Sequence, residues 1–123
     1  MATKRYAMGP RNRLRGRRTF AGVYGARVRK NVGPIGVFAK PNGLKQSRLG
    51  LSVPRRVGTA VARNRIKRLL REAFRLNQHE LPGGYDIVVT VRPHVPAALG
   101  EYQRMLERGM RWVDGEWARR GAT

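Results

Sequence analysis

A stretch near the middle of the chain, residues 60–77, combines a helical apolar pattern with a nearly uniform positive charge. At about 100° per residue its apolar side chains fall on a single arc. That arc consists of Ala62, Ile66, Leu69, Leu70, Ala73 and Phe74. The pattern predicts a helix from about Ala60 to Asn77, with Thr59 as its N-cap. Because such a helix must bury its arc against a sheet or another helix, the stretch constrains the whole fold.

The opposite face of this predicted helix is cationic. It carries Asn64, Arg68, Arg71 and Arg75, flanked by Arg65 and Lys67. Like charges three or four residues apart destabilise a helix by roughly 0.2–0.5 kcal/mol per pair, and solvated faces normally mix signs. Here Glu72 is the single acid, and Arg55, Arg56 and Arg63 surround a helix start without carboxylates. The face therefore predicts a polyanionic partner.

Charge is distributed unevenly along the chain. The net charge is +20, yet no Asp or Glu precedes Glu72, and the first 71 residues hold 20 of the 27 Lys and Arg residues. The remaining 52 residues contain seven basic and seven acidic side chains. A pI near 11.9 favours nucleic acid as the partner over an anionic membrane surface.

The length of 123 residues predicts a single domain. Residues 1–13 are basic and aperiodic, which predicts a disordered arm before a domain at residues 14–120. There is no cysteine, no apolar segment of a secretory signal and no apolar run longer than Ile87-Val88-Val89. We therefore expect a cytoplasmic protein that does not associate with a membrane.

Two segments before the cationic helix alternate like strands. Residues 35–40 predict one strand, and after a turn at residues 41–43, residues 48–53 predict its antiparallel partner. Alternation directs one set of side chains to the core: Ile35, Val37, Ala39, Leu49, Leu51 and Val53. The opposite face is a cationic floor with one aromatic ring, made of Gly36, Phe38, Lys40, Arg48, Gly50 and Ser52.

Three further segments complete the predicted fold. Residues 14–26 place Phe20, Val23 and Tyr24 at helical spacing, and residues 85–91 are apolar on nearly both faces, which predicts a central strand. A last helix aligns Leu99, Tyr102, Leu106, Met110, Val113 and Trp117. The order is helix, two or three strands, helix, strand, helix, which predicts an α+β two-layer sandwich of a small sheet and helices.

No group of residues has the pattern of a catalytic or metal site. His79 and His94 stand alone beside turns, and no carboxylates have the spacing of an acid/base pair. Trp112 and Trp117 could stack on bases, but Trp117 falls on the apolar arc of the last helix, and packing is favoured over binding for both. For Phe20, Tyr24 and Phe38 two interpretations stay open, core packing or stacking on the bases of single-stranded RNA.

The helical stretch resembles the signature of the bacterial ribonuclease P protein component, whose hallmark is Arg63-Asn64-Arg65 followed by Ile66-Lys67-Arg68 and Arg71. Further segments in the same order are similar to that family. They are Asn12-Arg13-Leu14 with Phe20 and Tyr24, residues 47–53, residues 55–58 and residues 85–88.

The resemblance implies an accessory subunit of an endoribonuclease. Its fold would be α-β-β-β-α-β-α around a mixed sheet, with a left-handed strand-helix-strand crossover. The chain would bind a catalytic RNA that cuts the 5′ leader from precursor tRNA, with Mg²⁺ held through that RNA and no catalytic residue or metal site of its own. The contacts implied with the catalytic RNA are Arg63, Asn64, Arg65, Lys67, Arg68 and Arg71. The residues expected at the leader are Arg13, Phe20, Tyr24, Phe38, Arg48, Ser52, Arg55 and Arg56.

Two alternatives remain at this stage. A ribosomal or RNA-chaperone protein would share the charge and would bind RNA broadly without affecting precursor tRNA. A protein-only nuclease would need clustered carboxylates or histidines, and the basic half of the chain offers none. No protein partner is inferred.

Overall fold

The computed structural model describes residues 12–121, so residues 1–11 of the predicted arm lie outside the described part. The predicted order of elements is confirmed, with three strands before the long cationic helix. The elements are α1 (Arg17–Gly25), β1 (Arg29–Val32), β2 (Ile35–Pro41), β3 (Arg48–Ser52), α2 (Ala60–Asn77), β4 (Tyr85–Val91) and α3 (Leu99–Arg119). A 3-10 turn at Arg55–Val57 precedes α2.

The four strands form one mixed sheet in the order β1-β2-β4-β3. The prediction that residues 48–53 pair with β2 was wrong, because β4 lies between them. β4 is antiparallel to β2 and parallel to β3. The side chains of β4 are apolar on both faces, and Ile87 and Val88 are both almost completely buried. Such a strand is more stable between two other strands than at the edge of the sheet. α2 supplies the crossover that parallel strands require; the left hand of this crossover stays a prediction.

One face of the sheet carries the main core. Ile35, Val37 and Ala39 are fully buried there, as the alternation predicted. α2 and α3 cover this face and pack against each other. Gly109 lets α3 approach closely, since a Cβ at that position would lie 2.6 Å from Val37 Cγ2. Trp117 packs against this core as predicted, and its Nε1 donates to the Ala39 carbonyl at 2.9 Å.

The other face of the sheet is covered in part by α1. Leu14, Val23 and Val88 form a small buried cluster there. The helix predicted from residue 14 begins at Arg17 instead, because the preceding segment joins the edge of β3. The Leu14 amide donates to the Leu49 carbonyl at 2.9 Å, and Arg13 forms a parallel bridge with Leu49.

Candidate nucleic-acid interface

The orientation of α2 is set by its apolar arc. Ile66, Leu70 and Ala73 are fully buried and Phe74 is 2% exposed, which confirms the predicted arc. The helix begins and ends where the sequence predicted, and the Thr59 hydroxyl accepts a hydrogen bond from the Ala62 amide at 3.1 Å. Because this arc is locked into the core, the opposite side of α2 is held rigidly at the surface.

The surface side of α2 presents cations that no carboxylate neutralises. We call this set the α2 face; it consists of Arg63, Asn64, Arg65, Lys67, Arg68 and Arg71. Asn64, Arg65 and Arg68 are exposed, and Arg63, Lys67 and Arg71 are half-buried. Within residues 12–121, none of the six forms an ion pair.

Arg75 neutralises the one acid beside the α2 face. Its Nε and Nη2 donate to the two carboxylate oxygens of Glu72 at 2.8 and 2.5 Å. This hydrogen bonding lowers the pKa of Glu72 below its ordinary value. Glu72 is therefore ionised near neutral pH and already paired, which leaves the cations of the α2 face available for another anion.

Arg71 connects the α2 face with the N-terminal segment. Burial lowers the pKa of Arg71, and the positive charge of Arg13 lowers it further. The two arginines line a cleft of about 340 Å³ together with Arg68. They also line a neighbouring cleft of about 200 Å³, which reaches Arg15 and Phe20. Partly desolvated cations close together favour a shared anion such as a phosphate.

The α1-facing side of the sheet is arranged in three rows across the strands. The pairing register of β2, β4 and β3 sets them as Lys40–Asp86–Arg48, Phe38–Val88–Gly50 and Gly36–Thr90–Ser52. α1 packs over the middle row, where a Cβ on Gly50 would lie 2.4 Å from Phe20 Cζ. The predicted open floor is therefore covered at its centre, and the third row keeps Thr90 and Ser52 half-buried.

The charged row is internally paired. Arg48 donates from Nε and Nη2 to the two oxygens of Asp86, each at 2.7 Å, and Asn42 Nδ2 donates to the same carboxylate at 3.0 Å. The hydrogen bonding of Arg48 to Asp86 raises the pKa of Arg48. Arg48 was predicted to contact a leader; that role stays a prediction, and two of its donors are bound to a largely buried carboxylate.

Two more aromatic side chains pack on the same small cluster as Phe20, and we call the cleft at Phe20 together with these rings the α1 cleft. The rings of Tyr24 and Phe38 meet edge to face, with centroids 4.9 Å apart, and both remain half-buried. Arg29 lies over Phe38 with its Cζ 5.6 Å from the ring centroid. The sequence reasoning missed Arg29 and Arg15. Arg29 lies directly opposite Phe38 in the β1–β2 pairing, and the sequence alone does not give this register.

The remaining predicted leader residues lie at the end of β3. Ser52 is half-buried in the last position of the strand, while Arg55 and Arg56 are exposed on the 3-10 turn that follows Pro54. This turn leads directly into Thr59 and α2. The cationic turn thus joins the polar row of the sheet to the start of the α2 face.

Several other polar side chains have structural partners. His94 lies 2.8 Å from the Arg92 carbonyl through Nδ1 and 2.7 Å from the Tyr102 hydroxyl through Nε2. Asp114 accepts a hydrogen bond from the Tyr85 hydroxyl at 2.7 Å. In the described range, no three His, Cys, Asp or Glu side chains are grouped to hold a metal ion. None of the described helices has the length and hydropathy to cross a bilayer.

Comparison with known proteins identifies the family. The Ribonuclease P family model matches residues 8–112. The chain belongs to the ribonuclease P protein family. The ribonuclease P protein component of Desulfovibrio desulfuricans is 40% identical over 105 residues, which cover 83% of this chain and 80% of that relative. The one from Desulfatibacillum aliphaticivorans is 52% identical over 82 residues, covering 65% and 68%.

Solved structures of family members have the same architecture. The RNase P protein of Staphylococcus aureus matches with a TM-score of 0.71 at 27% identity, over 81% of this chain and 93% of that one. The RNase P protein of Thermotoga maritima matches with a TM-score of 0.69 at 34% identity, over 76% and 90%. Membership assigns the chain to ribonuclease P, to tRNA 5′-end processing and to a partnership with the ribonuclease P RNA.

Proposed function

We propose that the chain binds the catalytic RNA of ribonuclease P through the α2 face and the single-stranded 5′ leader of precursor tRNA through the cleft beside α1. The observation that carries the proposal is the α2 face itself. Its cations have no carboxylate partner among the described residues and are held at the surface by a buried arc. The chemistry of cleavage belongs to the RNA and to Mg²⁺ bound by it.

The α2 face is suited to a folded RNA. Guanidinium groups donate two parallel hydrogen bonds to a phosphate, and a rigid helix presents several of them at fixed spacing. Arg65 and Arg68 lie about one turn apart on the exposed side, and Arg71 continues the row toward the N-terminal segment. Asn64 adds an amide, which can donate to and accept from base edges.

The α1 cleft is suited to unpaired nucleotides. Single-stranded RNA is bound by aromatic rings that stack on bases beside cations that follow the backbone. Tyr24 and Phe38 supply partly exposed rings, and Arg29 lies against one of them. Arg55 and Arg56 supply exposed cations at the far end of the polar row. Such a cleft favours a flexible leader over a duplex.

The two surfaces meet at Arg13 and Arg71, which line the clefts on both sides. Two RNA molecules that approach each other repel through their phosphates, and a protein of net charge +20 between them reduces that repulsion. We therefore expect the chain to lower the concentration of Mg²⁺ that cleavage requires.

Reconstitution tests this function. A bacterial ribonuclease P RNA and 5′-labelled precursor tRNA are incubated at low Mg²⁺ with and without the protein, and each component is also incubated alone. Cleavage at the mature 5′ end only when RNA and protein are both present is expected. Tight binding without stimulation would favour an RNA-chaperone role, and cleavage by the protein alone would favour a protein nuclease.

Variants separate the two surfaces. The double change Arg65→Gln and Arg68→Gln should weaken binding of the catalytic RNA by at least tenfold, because two charge-assisted contacts are lost. Phe38→Ala should raise KM for precursor tRNA by about 5- to 100-fold, the range for a lost base stack, and leave affinity for the catalytic RNA unchanged. Arg119→Gln with Arg120→Gln removes the same charge from cations paired with Glu116 and is the control.

A further inference from the structure

Trp112 has a position that neither RNA surface explains. The residue is 43% exposed, so the packing favoured from the sequence covers only part of it. Among the large apolar residues that the structure describes as exposed, Trp112 is the aromatic one. An exposed indole in a folded domain is more typical of a binding surface than of a core.

The ring lies at the edge of the sheet away from β3. Trp112 is on α3, which covers β1 and β2, whereas α2 lies on the β3 side. Three strand spacings separate β1 from β3, about 14 Å across the sheet. This distance exceeds the Debye length of about 10 Å at 0.1 M salt, so the cations around Trp112 act largely independently of the α2 face.

One cation contacts the ring, and two more lie along the same helix. Lys30 on β1 lies with its Nζ 5.4 Å from the indole centroid. Arg104 and Arg108 precede Trp112 at intervals of four residues, on the same stripe of α3. None of these three cations forms an ion pair with a described residue. We call Lys30, Arg104, Arg108 and Trp112 the Trp112 patch.

A cleft lies at the Arg104 and Arg108 end of the patch, and Trp112 and Lys30 are not among its lining residues. Arg104 and Arg108 line a cleft of about 220 Å³ with Val32, Met105 and Glu101. Arg104 and Trp112 are eight residues apart, about 12 Å along the helix. This length accommodates about two nucleotides rather than one. Glu101 contributes the one carboxylate of the cleft, at the end away from the ring.

We propose that the Trp112 patch is a third RNA-binding site, which holds an unpaired RNA segment by stacking one base on Trp112. Lys30 and Arg108 bind the flanking phosphates. The combination of an exposed ring and unpaired cations matches the chemistry of single-stranded nucleic-acid binding. An acidic protein segment would satisfy the cations but has no flat base to stack on the exposed part of the indole, so RNA is the better fit.

Fluorescence tests the site directly. The chain has two tryptophans, and Trp117→Phe leaves Trp112 as the only indole. In this variant, titration with a ten-nucleotide oligoadenylate should quench the emission in a saturable manner, because a stacked base lies on the ring. Quenching should be weaker when Lys30→Gln and Arg108→Gln are added. Absence of quenching, or equal quenching after those two changes, would overturn the site.

Affinity measurements complete the test in the full chain. Trp112→Ala should weaken oligoadenylate binding about 5- to 100-fold when Phe38→Ala, Arg65→Gln and Arg68→Gln have weakened the other two surfaces, while Trp112→Phe should retain most of it. Circular dichroism checks that each variant is folded. If Trp112→Ala does not fold, the oligoadenylate affinity of the Lys30→Gln and Arg108→Gln variant tests the site instead. Binding of polyglutamate but not of oligoadenylate would show a protein-docking surface instead.

The site and the proposed function can fail separately. Lys30→Gln and Arg108→Gln leave the α2 face and the α1 cleft unaltered. Cleavage of a precursor with a short leader therefore tests the α2 face and the α1 cleft, and not the Trp112 patch. Loss of quenching with normal stimulation of cleavage would reject the Trp112 site alone. Failure of the unaltered protein to stimulate cleavage would reject the proposed function alone.

Discussion

At the scale of single residues, two glycines decide how closely helices approach the sheet. Gly50 lies beneath the Phe20 ring on one face, and Gly109 of α3 lies against Val37 on the other. A methyl group at either position would come within 2.6 Å of a neighbouring side-chain atom. Close-packed interiors relax only partly around added volume, so both positions require the absence of a side chain.

Replacing Gly50 tests this requirement at the candidate site. Gly50→Ala should lower the free energy of unfolding by about 1–3 kcal/mol, because the new Cβ displaces Phe20 and with it α1. Urea unfolding measures the change. Gly115→Ala on α3 is the control: apart from its chain neighbours and the nearby backbone of its own helix, no atom lies within 4 Å of a Cβ there, so the change should stabilise the helix by about 0.5–1 kcal/mol. An unaltered unfolding midpoint in Gly50→Ala would contradict the packing of Phe20.

Tyr85 gives the protein a dependence on alkaline pH. Burial raises the pKa of Tyr85 above its ordinary value near 10, and the hydrogen bond to Asp114 raises it further. A raised pKa in the folded state means that stability is fully present below pH 10 and falls as the pH rises beyond it, because the unfolded chain releases the proton first. Burial also raises the pKa of Tyr102, so both tyrosines contribute.

The change Tyr85→Phe should therefore flatten the fall in stability above pH 10 without abolishing it, since Tyr102 remains. At pH 7 it should cost about 1 kcal/mol through the lost hydrogen bond to Asp114. Urea unfolding at pH 7, 9.5 and 10.5 measures both effects. An identical pH dependence in the variant and the original chain would refute this role of the buried hydroxyl.

At the scale of elements, one face of α2 packs in the core and the opposite face carries the cations at the surface. Its arc closes the core with fully buried residues such as Ile66 and Leu70, and its surface side carries the unpaired cations. α3 also has a buried stripe, but its acids occupy many of its arginines: Glu107 pairs with Arg111, and Glu116 pairs with Arg119 and Arg120. The contrast between the two helices supports the proposal that α2 makes the principal RNA contact.

The salt dependence of RNA binding should reveal this assignment. Each phosphate contact contributes about 0.7–0.9 to the slope of log affinity against log salt. Arg65→Gln with Arg68→Gln should therefore reduce the slope for ribonuclease P RNA by about 1.4–1.8. The charge-matched pair Arg119→Gln with Arg120→Gln should leave it within experimental error, and equal reductions in both would show that only net charge matters.

At the scale of the whole molecule, the positive charge is concentrated rather than spread. The first 71 residues hold 20 cations without an acid, while the described acids Glu72, Asp86 and Glu116 are each bound by arginine. Repulsion among unpaired cations destabilises the compact state. The isolated protein is therefore less stable than the same protein with an anion bound.

Sulfate should stabilise the isolated protein for this reason. An anion that binds the folded chain better than the unfolded chain raises the melting temperature by mass action. Tens of millimolar sulfate should raise the midpoint by several degrees above chloride at equal ionic strength. Because general salting effects act on any protein, the shift should be smaller in the variant with Arg65→Gln and Arg68→Gln. Equal shifts in both proteins would exclude anion binding at the α2 face as the cause.

Local patterns predicted α2 and β4 to the residue, because each depends mainly on its own periodicity and caps. The same patterns predicted the wrong strand beside β2, because β4 and not β3 pairs with it, and they assigned no residue range to β1. Pairing depends on which strand is buried on both faces, and short edge strands such as β1 have little pattern of their own.

The sequence by itself determined the cationic helix, its buried arc and the family, since these depend on residue type and spacing along one segment. Only the tertiary structure decided that Asp86 binds Arg48, that Arg29 lies on Phe38, and that Trp112 stays exposed beside Lys30. The physical reason is that each of these contacts joins residues from different elements, whose register is set by the packing of the whole sheet.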